Sequence, residues 1–349
     1  MPPLSVLIKP ASGQCNINCS YCFYRCEDHD RGIMSPSVAQ TAVRRIFAVA
    51  DGWVNIVFQG GEPTLAGLGF FRDFVRLCNS YNTHSVQVNY ALQTNGLLLD
   101  DDFCEFLARN RFLVGLSFDG TPALHDSFRS HSDEVLASAE RLKKHGVEFN
   151  VLTVVTSELA RHGGEVYRFL RLRGFDYLQF IPCLPPEGVA FGESFSPSAE
   201  EYGAFLCEVF DLWISELKKG IHVSVRYFDS LLKAVSGAAA ELCFMGESCI
   251  NQTVIESDGS VYPCDFYVDP QHYIGNISDG IPRLYAKSSF FTQKSELPKV
   301  CKECRFTYLC HSGCRREHDQ SGKSGLCEGF RRFFEHAEPI LKRYIANKK

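Results

Sequence analysis

The chain reads as an α/β protein: a parallel sheet built from strand–helix units, followed by a cysteine-rich segment. Three observations predict this. From residue 1 to about 235, short β-rich runs alternate with amphipathic stretches, which is the pattern of βαβ units with right-handed crossovers. The 349 residues allow one large barrel plus a smaller domain, or roughly two to three ordinary domains. Eight of the 16 cysteines crowd between Cys243 and Cys327, marking a region of different chemistry.

Strands are predicted at Ser5–Lys9, Val54–Phe58, Val86–Gln93, Phe112–Ser117, Glu148–Val155 and Tyr177–Pro182. Helical periodicity fills the intervals at about 36–50, 67–80, 100–110, 133–145 and 164–173. Six strands suit either a doubly wound sheet or an incomplete β/α barrel, and periodicity does not separate the two. In both, function collects at the C-terminal ends of the strands. A longer helix is predicted over 198–219, its stripe of Phe205, Val209, Phe210, Trp213 and Leu217 reading as core. The small-residue run Ser236–Ala240 suggests a boundary, dividing the chain into 1–235 and 236–349. A terminal helix is expected over Phe330–Ile345.

Composition narrows the class. A hydrophobic fraction of 45% and a charged fraction of 22% are those of a soluble globular protein. A net charge of −5 gives no general attraction to nucleic acid or anionic membrane. There is no leader-like segment and no apolar run near the length of a membrane span, so a cytoplasmic location is expected. In a reducing compartment, 16 cysteines argue for metal–thiolate chemistry rather than disulfides. Cys26, Cys78, Cys104, Cys183 and Cys207 are scattered, and most read as small buried apolar residues.

The loop after the first strand holds Cys15, Cys19 and Cys22. Thiolates so close can converge on one soft metal centre. With Cys26 as a fourth ligand this could be a zinc loop; with three ligands it suits a [4Fe–4S] cluster that keeps one iron open. The later strands end in Phe58-Gln59-Gly60-Gly61-Glu62-Pro63, Gln93-Thr94-Asn95-Gly96 and Ser117-Phe118-Asp119-Gly120. Paired glycines let backbone approach a ligand closely, whereas Asn-Gly and Asp-Gly are also ordinary turn formers. The second array comprises Cys243, Cys249, Cys264, Cys301, Cys304, Cys310, Cys314 and Cys327. Two sets of four thiolates could fully ligate two [4Fe–4S] clusters or close two structural zinc sites.

CxxxCxxC with Tyr21 before its last cysteine resembles the signature of the radical S-adenosylmethionine (SAM) enzymes, which implies a partial (β/α)6 TIM-type barrel. The second array, with Gly259 five residues before Cys264, resembles the SPASM extension of that superfamily and its two auxiliary clusters. Stretches such as MPPLSVLIKPA (1–11), FQGGEPTLAG (58–67), LQTNG (92–96), RYFD (226–229) and ESDGSVYPCDFY (256–267) resemble the anaerobic sulfatase-maturating enzymes. That resemblance implies oxidation of a sulfatase Cys or Ser, in a Cys/Ser-x-Pro-x-Arg segment, to Cα-formylglycine. It implies SAM and three [4Fe–4S] clusters as cofactors. Cys15, Cys19 and Cys22 would hold the SAM-binding cluster and leave Cys26 a bystander. Cys243, Cys249, Cys264 and Cys314 would hold auxiliary cluster I, and Cys301, Cys304, Cys310 and Cys327 auxiliary cluster II. Tyr21, Gly60, Gly61, Ser117, Arg129 and Leu184 would contact SAM, and Asp265 would be the proton acceptor. A sulfatase polypeptide and a low-potential donor such as flavodoxin or ferredoxin would be partners.

Two other readings remain at this level. A radical SAM–SPASM maturase that crosslinks a ribosomal peptide would share every cluster ligand. A zinc-stabilised binding module would share only the cysteine pattern.

Overall fold

In the computed structural model, residues 4–24, 29–249, 252–286, 290 and 296–348 are described. Cys26 lies outside them. The first part of the chain alternates as its periodicity predicts. Strands β1 (Leu4–Ile8), β2 (Trp53–Phe58), β3 (Gln87–Thr94) and β4 (Leu113–Ser117) are separated by helices α1 (Pro36–Phe47), α2 (Gly67–Tyr81) and α3 (Asp101–Arg109). Then come α4 (Pro122–Phe128), α5 (Ser132–Lys144), β5 (Phe149–Val155), α6 (Ser157–Ala160), α7 (Gly163–Leu172), β6 (Tyr177–Pro182) and α8 (Ala199–Lys218). Strand β7 (Ser224–Val225) and α9 (Arg226–Val235) lead into β8 (Gln252–Ile255), β9 (Ser260–Tyr262) and β10 (Gly275–Asn276). Short helices α10 (Ile281–Ala286), α11 (Lys299–Lys302) and α12 (Thr307–Cys310) precede the terminal α13 (Cys327–Ala346).

Local chemistry explains where the helices begin. Ser35 caps α1 by accepting from the Val38 amide, with Pro36 as the first helical residue. Asp100 caps α3 through the Phe103 amide. Ser198 and Glu201 form a reciprocal capping box on α8.

Contacts group the chain into two compact units: residues 1–117, 131–149 and 250–291, and residues 118–130, 150–249 and 292–349. In the first, the strand order is β10-β9-β8-β1-β2-β3-β4. Strands β1 to β4 pair in parallel, and β8 pairs in parallel with the other edge of β1, Ser5 opposite Gln252 and Ile8 opposite Ile255. Strands β8, β9 and β10 are antiparallel, and β8 turns into β9 at Gly259, whose φ of 85° places it in the region that favours glycine. Phe58 is fully buried against Phe71 and Phe74 of α2.

In the second unit β5, β6 and β7 are parallel. Helix α13 lies against α8, and the contact is close enough that glycine is needed on both sides. A Cβ on Gly203 would stand 2.8 Å from Gly329 Cα, and one on Gly329 would stand 2.1 Å from the Ala199 carbonyl oxygen. Phe205, Val209, Phe210 and Trp213 are buried, as the stripe predicted, with Phe333 packed on Phe210, whereas Leu217 near the helix end is only half-buried.

Candidate functional site

The loops after β1, β2 and β3 are bound to one another. The Gly61 amide donates to the Ser12 carbonyl and the Glu62 amide to the Gln14 carbonyl, both at 2.7 Å. Since the Gly61 amide is engaged, its carbonyl is what that residue can present to a ligand amine. Gly60 has a φ of 134°, and a Cβ there would stand 2.9 Å from the Ser12 carbonyl oxygen. The paired glycines therefore serve the close approach of the cysteine loop.

Glu62 is buried beneath this junction. Its carboxylate accepts from the Thr94 hydroxyl (2.8 Å), the Asn95 amide (2.8 Å) and the Thr64 hydroxyl (2.6 Å). Burial raises its pKa, while these hydrogen bonds act in the opposite direction. The Asn95 side chain donates to Asn16 Oδ1 at 2.7 Å and lies 3.9 Å from Cys15 Sγ. Cys15 and Cys22 are exposed and Cys19 half-exposed, and Tyr21 is half-buried between them. Three thiol donors on a loop pinned from below suit a cluster bound from one side, with the opposite side left to a small ligand.

The other expected SAM contacts fall as follows. Ser117 is buried at the end of β4, in the first unit. Arg129, in the second unit, ends α4 with its guanidinium 3.9 Å from the buried carboxylate of Asp119. Asp119 accepts from the Val154 amide at 2.8 Å, and its own amide donates to His125 Nδ1 at 3.1 Å. Burial pushes the His125 pKa down to about 4, so this imidazole is neutral and can accept. Leu184 follows β6 and is half-buried.

Asp265 sits in a charged cluster that sequence reasoning did not assemble. Its Oδ2 accepts from the Gln59 side-chain amide at 2.6 Å, and Lys9 Nζ stands 2.6 Å from its Oδ1. Oδ1 is buried yet receives no bond of hydrogen-bond geometry among the described residues. Lys9 is 1% exposed and Glu256 0%; their charged ends are 4.0 Å apart. The Lys9 ammonium lies 3.2 Å from the centre of the Tyr24 ring. The hydroxyls of Tyr24 and Ser12 both donate to Glu256, Ser12 at 2.8 Å. Burial first, and the Glu256 charge second, hold the Tyr24 phenol far above its usual range, so it remains a donor. The one local signal for this cluster was a charged residue, Lys9, closing the apolar run Val6–Ile8.

The second cysteine array divides between the units. Cys301, Cys304, Cys310 and Cys327 line one cavity of about 530 Å³ in the second unit. Burial, reinforced by Cys304, Cys327 and Cys301, pushes the Cys310 thiol up to about 12. Four converging sulfur donors with mutual repulsion form a set that a cationic cluster would relieve. Cys243, Cys249 and Cys314 also lie in the second unit, while Cys264 lies in the first. No disulfide joins the described cysteines.

Residues 10–170 match the radical SAM superfamily, and residues 243–305 match SPASM, an iron–sulfur cluster-binding domain. The chain is 41% identical to the cysteine-type anaerobic sulfatase-maturating enzyme of Clostridium perfringens (strain 13 / Type A), over 100% of both chains. It is 31% identical to the serine-type enzyme of Klebsiella pneumoniae, over 95% of this chain and 87% of that one. The solved structure of native anSMEcpe with bound AdoMet and Cp18Cys peptide matches with a TM-score of 0.95 at 40% identity, covering 100% of both chains. Streptococcus suis SuiB bound to S-adenosylmethionine shares the fold at a TM-score of 0.64 and 16% identity, over 93% of this chain and 77% of that one. With the pinned three-cysteine loop, the strand–helix core of a partial barrel and the cysteine-rich extension all in place, the chain belongs to the anaerobic sulfatase-maturating enzymes of the radical SAM superfamily.

Proposed function

We propose that this chain oxidises a cysteine or serine in a Cys/Ser-x-Pro-x-Arg segment of a sulfatase to Cα-formylglycine. The observation that carries this reading is Asp265: a buried carboxylate directly after Cys264, with Oδ2 held by the Gln59 amide and Oδ1 paired in charge with Lys9, 2.6 Å away, but receiving no hydrogen bond of good geometry among the described residues. Such an oxygen can accept the thiol or hydroxyl proton of a target residue. Cofactors are SAM and iron–sulfur clusters. When bound they supply a carbon radical that removes one hydrogen atom from the target Cβ and a sink for the electron that remains.

The chain's own residues would divide the remaining work. Cys15, Cys19 and Cys22 hold the SAM-binding cluster. The carbonyls of Gly60 and Gly61 would receive the methionyl amine, and the Arg129 guanidinium would pair with the methionyl carboxylate. Ser117, Tyr21 and the backbone at Leu184 hold the remainder of SAM. Cys243, Cys249, Cys264 and Cys314 would hold auxiliary cluster I, and Cys301, Cys304, Cys310 and Cys327 would hold auxiliary cluster II. Residues 1–235 supply the radical and residues 236–349 the auxiliary clusters. Asp265 takes the proton, and for a cysteine target, water then replaces sulfur. The source of reducing electrons is a low-potential donor such as flavodoxin or ferredoxin, in the cytoplasm; no helix among the described residues is long and apolar enough to cross a membrane.

The test is incubation of the anaerobically purified protein with SAM, a reductant and a Cys-x-Pro-x-Arg peptide, followed by mass spectrometry. An aldehyde product that captures a hydrazide supports the reading. A crosslinked peptide lacking two hydrogens would replace it with the peptide-maturase reading.

A further inference from the structure

We infer that Lys9 is a positioning residue for the reaction: it fixes the orientation of the Asp265 carboxylate and joins it to the cysteine loop. This rests on the function proposed above. A carboxylate held at one oxygen still turns about its own bonds. Asp265 is held at both, by Gln59 on Oδ2 and by the Lys9 ammonium beside Oδ1. A lysine stem is ordinarily a poor tether, because freezing its several rotamers costs conformational entropy. Here that freedom is already removed. The ammonium sits on the face of the Tyr24 ring and 4.0 Å from Glu256, which is in turn held by the hydroxyls of Tyr24 and Ser12.

The arrangement spans three separate pieces of sequence. Lys9 follows β1; Ser12 and Tyr24 belong to the loop that carries Cys15, Cys19 and Cys22; Glu256 opens the turn between β8 and β9, and Asp265 follows β9. All lie in the first unit. Hydrogen-atom removal and proton removal must act on the same target residue, so the acceptor has to keep a constant place relative to the cysteine loop. A misplacement of about 1 Å can cost on the order of 100-fold in rate, and the Lys9–Glu256–Tyr24 contacts oppose such a shift.

The experiment compares Lys9→Met, Lys9→Arg and the double variant Lys9→Met/Glu256→Gln with wild type, using holoenzyme and a Cys-x-Pro-x-Arg peptide. The readout is the ratio of 5′-deoxyadenosine to formylglycine, alongside peptide affinity and iron content. The expected result is a ratio about tenfold above wild type in Lys9→Met, and within about threefold of it in Lys9→Arg, with affinity and iron unchanged. The double variant removes the uncompensated Glu256 charge yet stays uncoupled. A wild-type ratio in Lys9→Met overturns the inference. So does a return to the wild-type ratio in the double variant, which would make Lys9 a charge compensator only. Loss of iron or peptide binding in parallel with product in all three variants also overturns it. Wild type that makes no formylglycine would instead remove the functional reading.

Discussion

A Cβ added to Gly61 would stand 2.0 Å from the carbonyl oxygen of Gln14. No side-chain rotation relieves that contact, because both partners are backbone. Gly61→Ala is therefore expected to push the loop of Cys15, Cys19 and Cys22 out of place. SAM cleavage should fall by about 100-fold or more, and the iron lost should be the share of one cluster. Iron analysis and a 5′-deoxyadenosine assay check this; wild-type values for both would show that the loop tolerates the shift.

Asp265→Asn keeps the side chain's size and its place beside Gln59 and Lys9, but the amide is a far weaker proton acceptor. SAM cleavage is expected to persist while formylglycine falls by about 10²- to 10⁴-fold, the usual contribution of a general base. Quantifying both products from one reaction separates these effects. Undiminished formylglycine would exclude Asp265 as the acceptor.

The cavity shared by Cys301, Cys304, Cys310 and Cys327 predicts a link between metal and stability. Metal-ligand binding energy is in part folding energy. Cys310→Ser should lower both the iron content and the Tm, and anaerobic chelation of wild type should move its Tm towards that of the variant. Scanning calorimetry with and without chelator tests it.

His125 predicts a pH dependence. Its pKa is about 4 in the folded chain against 6.5 for the ordinary side chain, chiefly because burial disfavours the cation. Between those values the unfolded chain binds more protons, so stability rises with pH. The contribution is complete above about pH 6.5 and disappears as pH falls through 4. Its size is about 2 kcal/mol between pH 7 and pH 5. Urea unfolding of wild type should lose about that much more over this interval than His125→Phe, which retains a ring to stack on Phe118. Equal losses would show that His125 titrates normally.

Much of the core was legible because its signals are local. A run such as Val54–Phe58 or a stripe such as Phe205, Val209 and Trp213 carries its period within a few residues; the observed β2 differs from expectation by one residue at its start and α8 by one at each end. The short helices α4 and α6 were not read, since a turn or two of helix leaves little periodicity to detect; the ten-residue α9 was also missed. Strand β8 also escaped. Three of its four residues, Thr253, Val254 and Ile255, are buried between β1 and β9, so no alternation of polar and apolar positions marks it.

Sequence alone determined the α/β class, the three-cysteine loop with one ligand too few for a closed site, and the family resemblance, because spacing along the chain is enough to state them. Tertiary structure decided what surrounds Asp265. Parallel pairing of β8 with β1 carries Glu256 and Asp265 to Lys9, more than 240 residues away in the chain. That partnership is set by which strand edges are free when the chain folds, and the pattern of neither segment encodes it. The expected proton acceptor could therefore be named from its motif, while the residues that hold it could be found only in space.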